Sequence, residues 1–157
     1  MAQPYPQLIL KIEDALKKML KGTVPVISTD QLADSINSRT DWIILDSREL
    51  AEYEISHLSN AIWVGHLDFS LSRVADITKD TKIAVYCSIG VRSENIAGKL
   101  LSYGFSNVWN VYGGIFTWAN EHKTLVADNQ QPTLDVHGYD KNWAKLLEHH
   151  VNCILSK

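Results

Sequence analysis

Cysteine is scarce in this chain: Cys87 and Cys153 are the two among 157 residues. That is too few for a disulfide framework and leaves a reduced interior or one reactive thiol as their purpose. A staple is also unnecessary, since a single domain of 17.7 kDa buries on the order of two thirds of its unfolded surface. Positive charge is in short supply too. Fifteen Lys and Arg stand against 18 Asp and Glu, a formal charge of −3, and the basic residues form no run. Nucleic-acid phosphates and anionic lipid therefore exert little pull, and neither nucleic acid nor membrane is expected as a partner. No apolar stretch approaches the roughly 18–20 residues of a membrane span. Residues 1–22 mix charges with apolar side chains, unlike the continuous apolar run of a signal peptide. A cytoplasmic protein is the expectation. Internal repeats and low-complexity tracts are missing as well.

What is present is an alternation. Over residues 11–21, Ile12, Leu16, Met19 and Leu20 recur at helical spacing and Gly22 stands as a terminator. Residues 24–27 form a short run broken by Pro25. Ser28, Thr29 and Asp30 then offer caps for a helix carrying Leu32, Ala33 and Ile36. Apolar runs at 42–45, 61–64, 83–86 and 108–111 have the length of strands covered on both faces. Helix-length segments at 49–55, 93–103 and 115–120 separate them. Such alternation implies a parallel sheet flanked by helices, an α/β fold whose ligands sit beyond the carboxyl ends of the strands. Residues 121–136 are polar and read as a linker or wrapping loop. Residues 140–155 place Trp143, Leu147, Val151 and Ile154 on one stripe and predict a last helix, docked on the domain or on a second copy of it.

The chemistry concentrates where the run at 83–86 ends on Cys87. Ser88, Ile89, Gly90, Val91, Arg92 and Ser93 lead from it straight into a helix. A cysteine held between a strand end and a helix start lies where unpaired backbone N–H groups converge, beside the positive end of a helix dipole. Both features stabilise an anionic sulfur. Arg92 adds a fixed positive charge, and Gly90 lets the loop curl so that its N–H groups face inward. The result is an anion cradle around a nucleophile. An isolated cysteine at a strand end is more often inert core, and it is the Gly90 and Arg92 context that favours a nucleophile here.

Three segments in this order resemble the rhodanese, or sulfurtransferase, domain family. The first holds Leu45, Asp46, Ser47 and Arg48, then Glu52 and Tyr53, His57 and Leu58, Ala61 and Ile62. The second is the loop from Cys87 to Ser93, with four residues between cysteine and arginine. The third holds Val111, Tyr112, Gly113, Gly114 and Ile115, then Trp118. The resemblance spans residues 24–120. It implies a three-layer fold with a central parallel sheet, carrying here an amino-terminal helical extension over 1–23 and a carboxyl-terminal loop and helix over 122–157 around a domain at 24–121. It further implies that Cys87 takes sulfane sulfur from a small anion such as thiosulfate, holds it as a persulfide, and yields it to cyanide, a thiol or a protein acceptor. No metal or organic cofactor is implied, and the loop from Ser88 to Ser93 binds the substrate. Phosphatases and arsenate reductases that resemble this layout carry five residues between cysteine and arginine, so the shorter loop favours sulfur over a tetrahedral oxyanion. A module that keeps the fold but only binds a partner is the alternative.

Asp46 and Arg48, just past a strand end, read first as a structural ion pair or backbone cap, with support of the active site as the alternative. His57 is expected to hydrogen-bond within the fold, Gly113 and Gly114 to permit a tight turn, and Trp118 to pack in the core. Ser56, Ser59 and Asn60 depart from the glycine and proline usual in the family at that turn. His149, His150 and Cys153 would fall near one another on the last helix. As a metal set they are weak, and a solvated face is the simpler expectation. Resolving a persulfide or linking two copies is the alternative role for Cys153, and the terminal extensions are candidates to build a homodimer.

Overall fold

In the computed structural model of the chain, residues 6–38 and 40–155 are described. The first five residues of the amino-terminal extension lie outside them. The apolar runs become parallel strands: β1 (Val26–Ser28), β2 (Ile43–Asp46), β3 (Ile62–Trp63), β4 (Ile83–Tyr86) and β5 (Val108–Tyr112), in the order β1-β5-β4-β2-β3. Every residue of the central β4 is buried. Side chains leave a strand alternately on its two faces. Ile44, Ala84 and Tyr86 thus join Ile27 and Val111 in one core, while Leu45, Ile83 and Val85 join Val108 in a second on the other side.

Helices α1 (Pro6–Met19), α2 (Thr29–Asn37) and α5 (Gly114–Asn120) cover the first face through Ile12, Leu16, Leu32, Ile115 and Phe116. Helix α4 (Val91–Ser102) covers the other with Ile96, Ala97 and Leu100. Between β2 and β3 runs α3 (Leu50–Ile55). Of the three caps the sequence offers for α2, Ser28 is the one used, in a capping box with Gln31. No helix of the described residues is long and apolar enough to cross a membrane.

The chain beyond α5 differs from expectation. Residues 121–136 are ordered: β6 (Leu125–Val126) pairs antiparallel with β7 (Pro132–Thr133), and Val126 exchanges two backbone hydrogen bonds with His57. The last helix does not form. A 3-10 turn (Trp143–Leu146), begun by Asp140 Oδ1 accepting from the N–H groups of Asn142 and Trp143, gives way to an extended Leu147. Strand β9 (Asn152–Ile154) then pairs in parallel with β8 (Asp135–His137). The reason is tertiary. Asn120, fully buried at the end of α5, donates to Leu146 O at 2.8 Å and accepts from Glu148 N at 2.9 Å, so these two backbone groups are taken before a helix can use them. The face expected to carry His150 and Cys153 therefore does not exist. Instead His150 Nε2 lies 2.8 Å from Ala119 O and its ring stacks on His122.

Asn120→Ala is expected to destabilise the protein by about 2 kcal/mol, two hydrogen bonds at about 1 kcal/mol each. Urea denaturation measures this, and limited proteolysis should show cleavage near residues 140–150 rising in step.

Candidate functional site

Cys87 follows the last residue of β4 and is 2% exposed. The loop after it is shaped from outside by α5. The carbonyls of Cys87, Ser88 and Ile89 accept from the N–H groups of Ile115, Phe116 and Gly113, each at 3.0 Å. A trans peptide points its N–H opposite to its C=O. With those three carbonyls drawn toward α5, the N–H groups of Ser88, Ile89 and Gly90 are aimed the other way, into the loop. The Gly90 N–H reaches Cys87 Sγ at 3.2 Å. This geometry needs Gly90 at φ +129° and Gly114 at φ +56°, both in the region that favours glycine. A Cβ on Gly114 would stand 2.5 Å from Cys87 O and 2.6 Å from Ser88 O. The pair Gly113-Gly114 thus does more than turn the chain: it brings α5 into contact with the loop.

Ser93, fully buried in the first turn of α4, places Oγ 3.4 Å from the same sulfur. Its hydroxyl also donates to Asn110 Oδ1 at 2.6 Å, and Asn110 Nδ2 donates to Gly90 O at 2.9 Å. That second bond fixes which end of the amide faces Ser93. Asn110, on β5, carried no sequence signal, since its neighbours mark only a strand.

Arg92 turns back toward the loop, as expected, but does not stand alone. It donates to Glu52 through Nη1 at 2.8 Å and Nη2 at 3.0 Å, and to Ser88 Oγ at 2.9 Å. Glu52, on α3, is 2% exposed. Burial would raise its pKa, but the hydrogen bonds and charge of Arg92, with the charge of Arg48, hold it below the ordinary carboxylate range. Burial likewise opposes the charge on Arg92, and Glu52 together with the nearby Cys87 overcomes it, so Arg92 stays cationic.

Asp46 and Arg48 form an ion pair at 2.7 Å with both side chains fully buried, rather than at the surface. Arg48 Nη2 also donates to Ser56 O at 2.7 Å. Tyr86 donates to Asp46 Oδ2 at 2.6 Å and accepts from Leu58 N. Burial and the adjacent Asp46 push the Tyr86 phenol well above its usual range, so it is a donor throughout the physiological span. This cluster touches no atom of Cys87 among the described contacts. It bears on the site through Glu52, whose carboxylate feels the charge of Arg48.

The other expected residues sit in supporting places. His57 is buried, with Nδ1 2.9 Å from Tyr53 O and its ring stacked on Tyr53. Trp118 is core and donates to Thr124 O. Asn60 adopts φ +65°, so the turn is kept with the residue that best replaces glycine there. Cys153 lies exposed on β9. Among the described residues no group of three or more His, Cys, Asp or Glu is placed to hold a metal.

A half-open cavity of about 160 Å³ lies over the sulfur. Cys87, Ser88, Ile89, Val91 and Arg92 form its floor, and Met19, Tyr139 and Trp143 its walls. Gly90 and Ser93 act on the sulfur from outside the lining. The three wall residues come from α1 and from the segment after β8, far from the loop in sequence. Their apolar character was visible in the sequence, but nothing local tied them to Cys87.

The model of the rhodanese-like domain family matches residues 28–121. Among curated proteins, the tRNA uridine(34) hydroxylase of Pectobacterium atrosepticum is 34% identical over 100 residues, covering 58% of this chain and 28% of that protein. That of Photorhabdus laumondii is 38% identical over 86 residues, covering 52% and 24%. The chain thus spans about a quarter of the length of these relatives. Of solved structures, a thiosulfate sulfurtransferase from Pseudomonas aeruginosa superimposes with a TM-score of 0.63 at 18% identity, over 88% of this chain and 26% of that one. A protein from Bacillus halodurans does so with a TM-score of 0.61 at 21% identity, over 73% and 85%. At such identities the likeness concerns the fold.

Proposed function

The chain belongs to the rhodanese-like domain family, and from that premise we propose that it transfers sulfane sulfur through a persulfide on Cys87. The observation that carries this reading is the sulfur itself: Sγ at the centre of a loop whose N–H groups are turned inward, one already bonded to it at 3.2 Å. With thiosulfate as donor, the Cys87 thiolate attacks the outer sulfur. The S–S bond of the donor breaks, sulfite leaves with the electron pair, and the enzyme holds Cys87–S–S⁻. The charge moves one atom outward, toward the N–H groups of Ser88, Ile89 and Gly90, which stabilise it as an oxyanion hole stabilises oxygen. Cyanide or an acceptor thiolate then attacks the terminal sulfur and Cys87 leaves as thiolate, completing a ping-pong cycle. Arg92, held by Glu52, orients the anionic head of the donor. The covalent chemistry is carried by sulfur and calls for no organic cofactor.

Four residues between Cys87 and Arg92 support sulfur over phosphate, because a shorter loop makes a tighter cradle. Hydroxylation of tRNA, the activity in the relatives' name, fits this chain less well. A formal charge of −3 gives a polyanion little electrostatic pull.

Intact-mass measurement after thiosulfate treatment, followed by peptide mapping, tests the proposal. The expected product is one sulfur atom heavier, with the sulfur on the Cys87 peptide, and cyanide returns it to the starting mass with release of thiocyanate. A protein that gains no sulfur, or gains it on Cys153, would sink the assignment.

A further inference from the structure

The walls of the Cys87 cavity are the part of the site that the family match does not contain. Met19 precedes the matched residues 28–121, and Tyr139 and Trp143 follow them. All three are apolar or aromatic. The cavity they complete, about 160 Å³, is comparable to the void of about 150 Å³ that admits benzene in a protein interior. Tyr139 is held at φ +70°, a conformation uncommon for an aromatic residue, by its N–H donating to His137 Nδ1 at 2.9 Å. Its ring lies 4.9 Å from the Arg92 guanidinium. The backbone is thus bent to bring an aromatic face to the mouth of the site.

Charge points the same way. The Arg92 cation, paired at its back with Glu52 at 2.8 Å, is the one charged side chain in a cavity lining that is otherwise mostly apolar or aromatic. A monoanion with an apolar substituent meets one hydrogen-bonding cation and an apolar wall, and burying that substituent favours binding roughly in proportion to its area.

We infer that this pocket selects organic sulfur donors, in which a single anionic head carries an aryl or similar apolar group, with Met19, Tyr139 and Trp143 as the residues that confer the selection. The inference rests on sulfur transfer at Cys87. For an aryl thiosulfonate the step balances as before: Cys87 thiolate takes the outer sulfur, the S–S bond breaks, and the arylsulfinate leaves with the electron pair, leaving the anionic persulfide.

The test compares three donors on the full chain: thiosulfate, methanethiosulfonate and benzenethiosulfonate, with cyanide as acceptor. In a ping-pong cycle kcat/KM for the donor reports its half reaction alone. Benzenethiosulfonate is expected to exceed methanethiosulfonate in kcat/KM by about tenfold or more. The ratio of the two should fall about fivefold in Tyr139→Gly and in Trp143→Leu, relative to the parent. Intrinsic donor reactivity is the same for parent and variants, and any loss of folded protein cancels within the ratio. Tyr139→Gly also removes the backbone strain, so it tests the ring without burdening the fold. Persulfide formation with a ratio that ignores both substitutions, or a preference for thiosulfate over both thiosulfonates, overturns the inference while leaving sulfur transfer intact. Failure of all three donors to form a persulfide strikes at sulfur transfer itself.

Discussion

Replacing Gly114 by alanine is expected to destabilise the protein by about 3 kcal/mol and to reduce sulfur transfer by about 10²-fold or more. Two effects add. At φ +56° any L side chain is strained, by about 1–2 kcal/mol. The new methyl would also stand 2.5 Å from Cys87 O, 2.6 Å from Ser88 O and 2.7 Å from Ser88 C. All three are backbone atoms with no flexible end to yield, and overpacking of this kind costs about 1–3 kcal/mol. To relieve it α5 and the loop must part, which lengthens the bonds from Ile115 and Phe116 that turn the loop N–H groups inward. A misplacement of about 1 Å at reacting atoms is worth about 10² in rate. Gly104→Ala separates the two effects. Gly104 has φ +100° but nothing within 4 Å of a Cβ, so it should lose the strain alone, about 1–2 kcal/mol, and no transfer activity. Equal losses of activity in both variants would show that the contact between α5 and the loop is unimportant.

Why that contact was only half legible in the sequence follows from how it is made. The cradle from Cys87 to Arg92 is one continuous segment, and β4 before it announces itself by four buried residues in a row. Local pattern was therefore enough. The two glycines were visible as a turn, but the backbone atoms that Gly114 makes room for, in Cys87 and Ser88, lie about 26 positions earlier on another element, and no periodicity encodes that distance. Glu52 was legible as part of a helix start, where it does complete a capping box with Glu49. Its second role, holding Arg92 forty positions away, is invisible to any local signal. The tail shows the opposite error. The stripe Trp143, Leu147, Val151, Ile154 has a helical period, yet the side chain of Asn120 and the strand partner at 135–137 claim the backbone first. Periodicity reports which side chains turn inward, and a chain wrapped over a domain can satisfy it without a helix.

Glu52→Gln is expected to cost about 3 kcal/mol at neutral pH and to lower kcat/KM for an anionic donor by about 10²-fold. The loss of stability is that of a buried ion pair broken on one side, about 3–5 kcal/mol. It is taken at the lower end because Arg92 keeps its bond to Ser88 Oγ and 15% of its side-chain exposure. The loss of rate comes from orientation. The two parallel bonds at 2.8 and 3.0 Å fix the guanidinium plane, and an amide can accept only one of them. Acid gives an independent check. The folded-state pKa of Glu52 lies below its ordinary value, so the unfolded chain binds the proton more readily than the folded one. The stabilisation is fully present above the ordinary Glu value of 4.5 and is lost as pH falls through the lower folded value. Urea denaturation of parent and variant should therefore show a gap that is constant from pH 7 down to about 5 and that narrows below about 4. A gap that does not change with pH would mean that Glu52 acts through shape and not charge. Arg92 would then owe its position to Ser88 and Tyr139 instead.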